Sequence, residues 1–205
     1  MSALPKIQYS LEDYFALERD SEERYEWWEG EVWAMSGVSR QHALIETNLT
    51  LELGARLRQS GCQLFPANMR IKVPSMPPYR YSDLSALCGN AVFEQIGGVD
   101  VLTNPSLIIE VLSPSTESYD RGDKFTQYKS IPSLREYLLV AQHRSHVTHF
   151  IKQADNEWLQ REYNSLSDSV SLVTLNVAFT LAEVYQFITF EMASLSLKLA
   201  EPSQP

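Results

Sequence analysis

Two carboxylates and one lysine have residue types and positions that could form one ionic cluster. Glu110 occupies the middle of Leu107–Leu112, among isoleucine, valine and leucine side chains. Such a run is typical of a strand buried on both faces, where an ionised carboxylate is costly unless a cation or hydrogen-bond donors meet it. Asp83 supplies a second carboxylate within Tyr79–Leu84, and Lys124 supplies a cation early in a predicted helix. The pattern therefore predicts an acidic pair accompanied by an ammonium group.

The charge of the chain is divided unevenly among its segments. The formal net charge of −9 argues against a broadly basic nucleic-acid binder. Residues 12–31 hold nine acids and two arginines, whereas residues 65–80 and 121–135 together hold seven basic residues and one acid. The two basic stretches bracket the carboxylates, so we expect a local basic patch there. Its expected members are Arg70, Lys72, Arg80, Arg121, Lys124 and Lys129.

Length and composition predict one domain over residues 1–191, followed by a C-terminal tail over residues 192–205. No apolar run approaches the roughly 20 residues that a membrane helix needs, and the N-terminus has no hydrophobic segment resembling a signal peptide. A cytoplasmic protein without a membrane partner is expected. Cys62 and Cys88 lack the paired spacing of a metal site, and we interpret them as free, buried thiols.

Several periodic patterns indicate the elements that must position the carboxylates. Ser10 followed by Asp13 predicts a capped helix, and residues 24–35 predict two short strands around Gly30. A long amphipathic helix is expected over residues 40–59, with an apolar stripe formed by Ile45, Leu49, Leu53 and Leu57 and widened by Leu44, Leu51 and Ala55. Residues 69–73 predict a strand, and the Asp83 strand, a polar connection with Gly97 and Gly98, and the Glu110 strand follow it.

The second half of the chain is predicted to be rich in strands. Asp120 can cap a helix that ends before Pro132. Strands are expected over residues 136–140, 147–151 and 158–163 and near 170–175, with a short helix near 181–188. The histidines are given ordinary roles. His42 is interpreted as a surface or capping residue, and His143, His146 and His149 as sheet residues, because residues three apart on a strand face opposite sides.

Taken together, these segments resemble a large bacterial family called Uma-type. The family is classed among nucleases of the restriction-endonuclease-like PD-(D/E)XK superfamily. The resemblance covers most of the chain and is carried by Tyr25-Glu26, Glu29-Gly30-Glu31, Met35, His42, Tyr81-Ser82-Asp83, Pro105, Ile109 to Thr116, Asp120, Lys124, Tyr128, Leu134, Glu136-Tyr137, Val147 and Trp158. It implies an α/β (α+β) fold, with a mixed central β-sheet flanked by helices on both sides.

The resemblance also implies a metal site. Asp83 and Glu110 would come from adjacent strands and converge on Mg²⁺ or Mn²⁺, for which hard oxygen donors are suitable ligands. A third acid from the first part of the fold would complete the site. Glu31 is the candidate that we carry forward, and Glu29 is the alternative that the sequence leaves open.

The chain departs from the superfamily pattern at two positions. Ser82 replaces the usual proline before the first acid, and that proline has no chemical role. Leu112 stands where the pattern has lysine, and a leucine side chain cannot hold or activate water. Lys124 is the expected substitute, because the helix that carries it can return over the end of the Glu110 strand. Lys72 is the other candidate.

The function implied is a metal-dependent endonuclease that hydrolyses phosphodiester bonds of nucleic acid, with DNA as the expected partner of the basic patch. The alternative is a catalytically silent binding or dimerisation module that retains the nuclease fold, and the sequence leaves a homodimer open. A glycosidase would also use a carboxylate pair. The basic stretches around Asp83 and Glu110 fit a phosphate substrate better.

Overall fold

The computed structural model describes residues 8–21, 24–28, 30–34, 37–58, 60–74 and 78–190. The predicted tail at 192–205 therefore lies outside the described residues, as do Glu29 and Met35. The strands are β1 (Tyr25–Trp28), β2 (Glu31–Ala34), β3 (Cys62–Pro66), β4 (Arg70–Lys72), β5 (Tyr79–Tyr81), β6 (Leu84–Cys88), β7 (Phe93–Ile96), β8 (Val99–Leu102), β9 (Leu107–Leu112), β10 (Glu136–Ala141), β11 (Val147–Ala154), β12 (Glu157–Tyr163), β13 (Ser169–Leu172) and β14 (Val177–Thr180). The helices are α1 (Leu11–Asp20), α2 (Arg40–Leu57), α3 (Glu117–Tyr119), α4 (Phe125–Lys129) and α5 (Leu181–Val184), and a π-helical turn (Asp120–Lys124) joins α3 to α4.

A six-stranded mixed sheet forms the centre of the fold, in the order β12-β11-β10-β9-β6-β3. Strands β9 and β10 are parallel, and the other neighbours in this sheet are antiparallel. Every residue of β9 and β10 is buried, as the apolar run around Glu110 predicts. The mixed central sheet is thus confirmed, and Glu110 lies in one of its two most deeply buried strands.

Helix α2 covers one face of this sheet. Its side chains at Ile45, Leu49, Leu53 and Leu57 are all buried against β6, β9 and β10, which confirms the predicted apolar stripe. The stripe is narrower than predicted, because Leu51 is 63% exposed and Ala55 is also exposed. The Ser39 hydroxyl caps the helix by accepting a hydrogen bond from the His42 backbone N–H at 3.1 Å.

The opposite face of the sheet is covered by the α3, π-turn and α4 segment. Phe125 and Tyr128 from this segment pack against Ile108, Leu112 and Tyr137 of the sheet. The rings of Phe125 and Tyr137 stack with their centroids 4.6 Å apart. Helices therefore flank both faces, as the resemblance implies, and the segment that carries Lys124 lies over the side chains on the Glu110 face of β9.

A second, four-stranded sheet has the order β5-β4-β8-β7. Its β7–β8 hairpin turns at Gly97 and Gly98, both with positive φ, where the sequence had predicted only a polar connection. Strand β5 belongs to this sheet, whereas β6 belongs to the central one. Asp83 is therefore not inside a single strand: together with Ser82 it forms the junction at which the chain crosses between the two sheets.

The later histidines are held by single acidic partners. His149 Nε2 lies 3.0 Å from Glu136 Oε1, and both side chains are fully buried. His146 Nε2 lies 2.9 Å from Glu162 Oε2. His149 lies within β11, as interpreted, whereas His146 directly precedes β11 and His143 lies in the turn between β10 and β11.

The interpretation of the two cysteines as free thiols is wrong. Cys62 and Cys88 stand directly opposite each other on β3 and β6, with Cα atoms 3.8 Å apart, and a disulfide joins them. The pairing depends on the antiparallel register of two strands 26 residues apart in sequence, which cysteine spacing alone does not indicate. Among the helices in the described ranges, none is both long enough and apolar enough to span a membrane.

Candidate functional site

A cleft of about 440 Å³ opens where the beginning of β6 meets the end of β9. The N-terminal turns of α2 border it on one side, and the α3 and π-turn segment borders it on the other. The described residues that line it are Glu26, Trp33, Ala34, Gly37, Val38, Ser39, His42, Asp83, Glu110, Val111, Ser113, Pro114, Ser115, Thr116, Tyr119, Asp120, Lys124 and Gln142. Asp83, Glu110 and Lys124, the three predicted catalytic residues, are all among them.

Asp83 is held by hydrogen bonds to both of its carboxylate oxygens. Its position follows from register: the last β6–β9 pair is Leu84 with Ile109, so one further step brings Asp83 alongside Glu110. The Val111 backbone N–H donates to Asp83 Oδ2 at 2.6 Å. His42 Nε2 lies 3.2 Å from Oδ1. The carboxylate is thereby oriented at the sheet end and remains partly exposed to the cleft.

Glu110 is a buried carboxylate whose pKa is shifted by its surroundings. Its side chain is only 4% exposed. Burial raises the pKa of Glu110 well above its ordinary value, and the negative charges of Asp120 and Asp83 act in the same direction, while Lys124 opposes them. A cation that approached this carboxylate would relieve the cost of ionising it.

Lys124 supplies the cation beside Glu110. Its Nζ lies 3.0 Å from Glu110 Oε1 and 3.4 Å from Asp120 Oδ1. Burial alone would lower the pKa of Lys124, but the charges of Glu110 and Asp120 outweigh it and raise the pKa well above its ordinary value. The ammonium is therefore kept charged within a nearly closed environment.

The π-helical turn determines where Lys124 and Asp120 stand. Both residues belong to it, and both are buried. The turn is fixed to the sheet by the Tyr137 hydroxyl, which donates to the Asp120 carbonyl at 2.9 Å. Next to it, the Tyr128 hydroxyl donates to the Tyr81 carbonyl at 3.0 Å. Single π-turns within helices often occur at functional sites, and here the turn aims one acid and one lysine at Glu110.

His42 lies in the cleft, a position that its interpretation as a surface or capping residue did not anticipate. It is 7% exposed, lines the cleft and contacts Asp83. Burial of the imidazole works against its charged form, but the hydrogen bond to Asp83 and the charge of Asp83 outweigh that effect, so the pKa of His42 is raised. Glu46 lies one turn further along α2. Its pKa is raised first by burial and then by the charge of Asp83. The His42–Glu46 spacing of four residues was the available signal in the sequence.

Neither candidate for the third acid, Glu29 or Glu31, is found among the described residues that line the cleft. Glu29 lies outside the described residues, and Glu31 is not among the described residues that line the cleft. Glu26 lines it instead, from strand β1. In the β1–β2 hairpin, Glu26 stands opposite Trp33, so the two side chains share one face of the hairpin. That face presents an acid and an aromatic ring, 59% exposed, to the cleft.

The six members of the expected basic patch are mostly engaged with acids. Lys72 forms an ion pair with Glu94, and it is not among the described cleft-lining residues. Arg70 pairs with Glu18, and Arg121 pairs with Glu117. Arg80 is 1% exposed, and the Lys129 ammonium lies 4.8 Å from the centre of the Phe125 ring. Of the two candidate lysines, the structure brings Lys124 to the carboxylates and Lys72 to a different surface.

Comparison with known proteins identifies the family of the chain. The family described as "Uma2: Putative restriction endonuclease" matches residues 11–183. Two proteins of Synechocystis sp. are similar in sequence. Uncharacterized protein slr1290 is 31% identical over 186 residues, which are 91% of this chain and 95% of that protein. Uncharacterized protein sll1609 is 33% identical over 150 residues, which are 73% of this chain and 84% of that protein.

A solved structure shares the fold. It is the crystal structure of a putative nuclease belonging to DUF820 from Anabaena variabilis, and it superimposes with a TM-score of 0.64. The match covers 83% of this chain and 96% of the Anabaena chain at 13% sequence identity, which supports a common fold. The family match extends over α1 to α5 and so includes the whole cleft. The chain therefore belongs to the Uma2 family of putative restriction endonucleases.

Proposed function

We propose that this protein is a divalent-metal-dependent endonuclease that hydrolyses phosphodiester bonds, with DNA as its substrate. One observation carries the proposal: Asp83 and Glu110, at adjoining ends of β6 and β9, line one cleft together with the ammonium of Lys124. Phosphodiester hydrolysis needs groups that neutralise a doubly charged phosphorane-like transition state and that position water. Two carboxylates with a buried ammonium are suited to that task, and family membership supports the same class of reaction.

The residues of the cleft fit a divalent cation. Carboxylate oxygens are the donors that Mg²⁺ and Mn²⁺ prefer. Glu110 Oε1 is buried, and the group that meets it is the Lys124 ammonium at 3.0 Å. Asp83 and Glu110 would hold the ion. The chemistry that it supplies when bound is neutralisation of phosphate charge and a lower pKa for the attacking water.

Lys124 would act on the charge of the phosphate. Its ammonium is held between Glu110 and Asp120, so its position is set before substrate enters. A preorganised cation that meets charge developing in the transition state lowers the barrier without reorganisation. The lysine absent at Leu112 is thereby replaced, in this proposal, from the π-turn on the neighbouring layer. Asp120 is a positioning residue because its role is to hold that ammonium.

DNA binding would rely on the exposed surface near the cleft. Arg121 follows Asp120 in the π-turn, and its side chain is 32% exposed in an ion pair with Glu117. Exposed ion pairs of this kind contribute little free energy, so a phosphate can replace Glu117 as the partner of Arg121. This arrangement supports a polyanionic substrate despite the overall charge of −9.

The proposal is tested by nicking of a supercoiled plasmid in the presence of Mg²⁺ or Mn²⁺. We expect cleavage by the parent protein and its loss in Asp83→Asn and Glu110→Gln. Asp155→Asn is the matched control, because Asp155 is fully exposed in the β11–β12 turn. Equal cleavage by the Glu110→Gln variant would contradict the site. A parent protein that binds DNA but never cuts it would show the silent binding module instead.

A further inference from the structure

A second group of metal-binding residue types lies on the α2 side of the cleft. His42 and Glu46 are four residues apart on α2, so their side chains leave the same face of the helix. Asp83 reaches the group from the junction between the two sheets. One ligand atom from each of these three residues lies within 4.8 Å of the other two. Neither Glu110 nor Lys124 belongs to this group.

The distances fit ligands that share one ion. His42 Nε2 and Asp83 Oδ1 are 3.2 Å apart. Two ligands at right angles around an ion, each at about 2.1 Å, stand about 3 Å from one another. The observed separation therefore suits neighbouring positions in one coordination sphere as well as it suits a hydrogen bond. An ion would replace the proton between imidazole and carboxylate without moving either residue far.

The group is separate from the Glu110 site because the two face different layers. Glu110 shares the β9 face of Ile108 and Leu112, beneath the segment that carries Lys124. His42 and Glu46 project from α2, which covers the other face through Ile45 and Leu49. Asp83, at the sheet end, contacts the α2 side through Oδ1 and the β9 backbone through Oδ2. It is the one residue common to both groups.

The charge of the cleft favours the binding of cations. Four carboxylates line it, and Glu46 adds a fifth beside Asp83, against the single ammonium of Lys124. When these acids are ionised, the lining is strongly negative and repels a phosphate. Divalent ions bound in the cleft would reduce that repulsion, after which an anionic substrate can enter.

We propose that His42, Glu46 and Asp83 form a second cation site that selects transition-metal ions such as Mn²⁺ or Co²⁺ over Mg²⁺. The selectivity comes from His42, because imidazole nitrogen is a good ligand for transition metals and a poor one for Mg²⁺. The inference deepens the proposed function, on which it rests for the use of the ion. Binding of the ion is a separate property and can be measured without any cleavage.

The parent protein tests the site directly. Titration calorimetry with MnCl₂ should give two bound Mn²⁺ ions per chain. The same titration with MgCl₂ should give one bound Mg²⁺ ion, or a second Mg²⁺ ion whose affinity is at least tenfold weaker than that of Mn²⁺. Electron spin echo spectroscopy of the Mn²⁺-loaded protein should show coupling to one imidazole ¹⁴N nucleus. This second measurement needs no substitution, so it remains decisive if a variant fails to fold. Mn²⁺ bound without nitrogen coupling would overturn the inference.

Variants identify which histidine is responsible. His42→Ala should abolish the nitrogen coupling and weaken one Mn²⁺ site at least tenfold, and Glu46→Gln should weaken the same site. His143→Ala is the control, because it removes an exposed imidazole from the β10–β11 turn. Circular dichroism checks that each variant is folded. Nitrogen coupling that survives in His42→Ala would overturn the assignment.

The outcomes also separate this inference from the proposed function. Nitrogen-coupled Mn²⁺ in a protein that never cleaves DNA would uphold the cation site and contradict the nuclease. Cleavage that requires Glu110, in a protein whose bound Mn²⁺ shows no nitrogen coupling, would uphold the nuclease and contradict the second site. If Glu110→Gln leaves Mn²⁺ binding unchanged while His42→Ala removes it, the cation site stands and Glu110 is not a metal ligand.

Discussion

Lys124 and Glu110 illustrate how a buried ion pair can be kept ready for chemistry. Each side chain is less than one-tenth exposed, and the lysine has a second acidic partner in Asp120. The two acids around the ammonium keep the lysine charged. An entering cation would find a carboxylate already in place, and an entering phosphate would find an ammonium whose position is fixed.

Replacement of Lys124 tests its proposed role at the phosphate. Lys124→Ala should lower turnover by at least about a hundredfold, the loss typical of one preorganised electrostatic contact. Mn²⁺ affinity should not fall, because an ammonium is not a ligand and its removal leaves the carboxylates more negative. Lys72→Ala is the control, since Lys72 pairs with Glu94 away from the cleft. Steady-state cleavage rates and calorimetry check both, and a reversed order of effects would assign the catalytic role to Lys72.

Glu110 should make the metal-free protein sensitive to pH. Because its pKa is raised in the folded state, ionisation above its ordinary value of 4.5 costs stability. That cost is small at pH 4, where the group is mostly protonated in both the folded and the unfolded states, and it grows as the pH rises. Glu110→Gln should therefore increase the free energy of unfolding at pH 7 in EDTA, with a smaller gain near pH 4. Lys124 keeps Asp120 as a partner in this variant.

Urea unfolding at the two pH values is the measurement. Lys124→Met is the opposing control, since it leaves Glu110 and Asp120 buried without their cation, a change that typically costs about 3–5 kcal/mol. If Glu110→Gln loses as much stability at pH 7 as Lys124→Met does, the charge argument is contradicted.

Individual residues of the cleft were predictable where both the residue type and its neighbours in the sequence were informative. Asp83 and Glu110 stood out because carboxylates in apolar strands are rare, and Lys124 because Leu112 left the pattern without a lysine. His42 was missed because a histidine in a first helical turn has many ordinary uses. Its partner Asp83 is 41 residues away, so only the fold brings them within 3.2 Å. Glu26 was missed because it stands among many acids.

Helix α2 is the element on which the α2 side of the cleft depends. Its N-terminal turn carries His42 and Glu46, and its apolar stripe fixes their height above the sheet. The Ser39 hydroxyl both caps the helix and donates to Gln142 Oε1 at 2.5 Å. Any loosening of the stripe would therefore move the His42 ring relative to Asp83.

A matched pair of leucines tests this packing. Leu49 is fully buried against the sheet, whereas Leu51, two residues along the same helix, is 63% exposed. Leu49→Ala should cost about 2–5 kcal/mol through lost burial and the cavity left behind. Leu51→Ala should change stability by less than about 0.5 kcal/mol. Equal effects in urea unfolding would mean that α2 does not pack as described.

Elements were predictable to the extent that their pattern is local. The four-residue apolar repeat gave α2, and the apolar run gave β9, because each pattern reports burial of one segment. The π-turn at Asp120–Lys124 has no such signal, since its contacts are with residues of strands that are distant in sequence, such as Tyr137. Strand β5 was merged with β6 for a similar reason: three residues carry too little pattern to show a change of sheet.

At the scale of the whole molecule, the Cys62–Cys88 disulfide ties the edge strand β3 to β6. A cross-link closing a loop of 26 residues stabilises a protein by about 3.5 kcal/mol through the entropy of the unfolded chain. Reduction, or Cys62→Ser with Cys88→Ser, should lower the free energy of unfolding by roughly that amount. The reaction of denatured, unreduced protein with a thiol reagent is the check. Two reactive thiols per chain would contradict the bond.

The architecture as a whole was accessible through resemblance more than through pattern. The mixed sheet flanked by helices is confirmed, because a string of motif residues spread from Tyr25 to Trp158 constrains a topology that no single segment specifies. The local patterns could not show that strands β3 to β9 are divided between two separate sheets. That division depends on pairings such as β4 with β8, whose partners are about 30 residues apart.

The crossing at Ser82 and Asp83 has a thermodynamic consequence for the whole chain. Asp83 is held on one side by α2 and on the other by the end of β9, so an ion bound there would fasten both layers and both sheets at one point. A ligand that binds only the folded form raises its stability with the logarithm of ligand concentration. The melting temperature of this protein would then rise with the concentration of free metal ion. Folding and catalytic competence would rise and fall together with the ion supply of the cell.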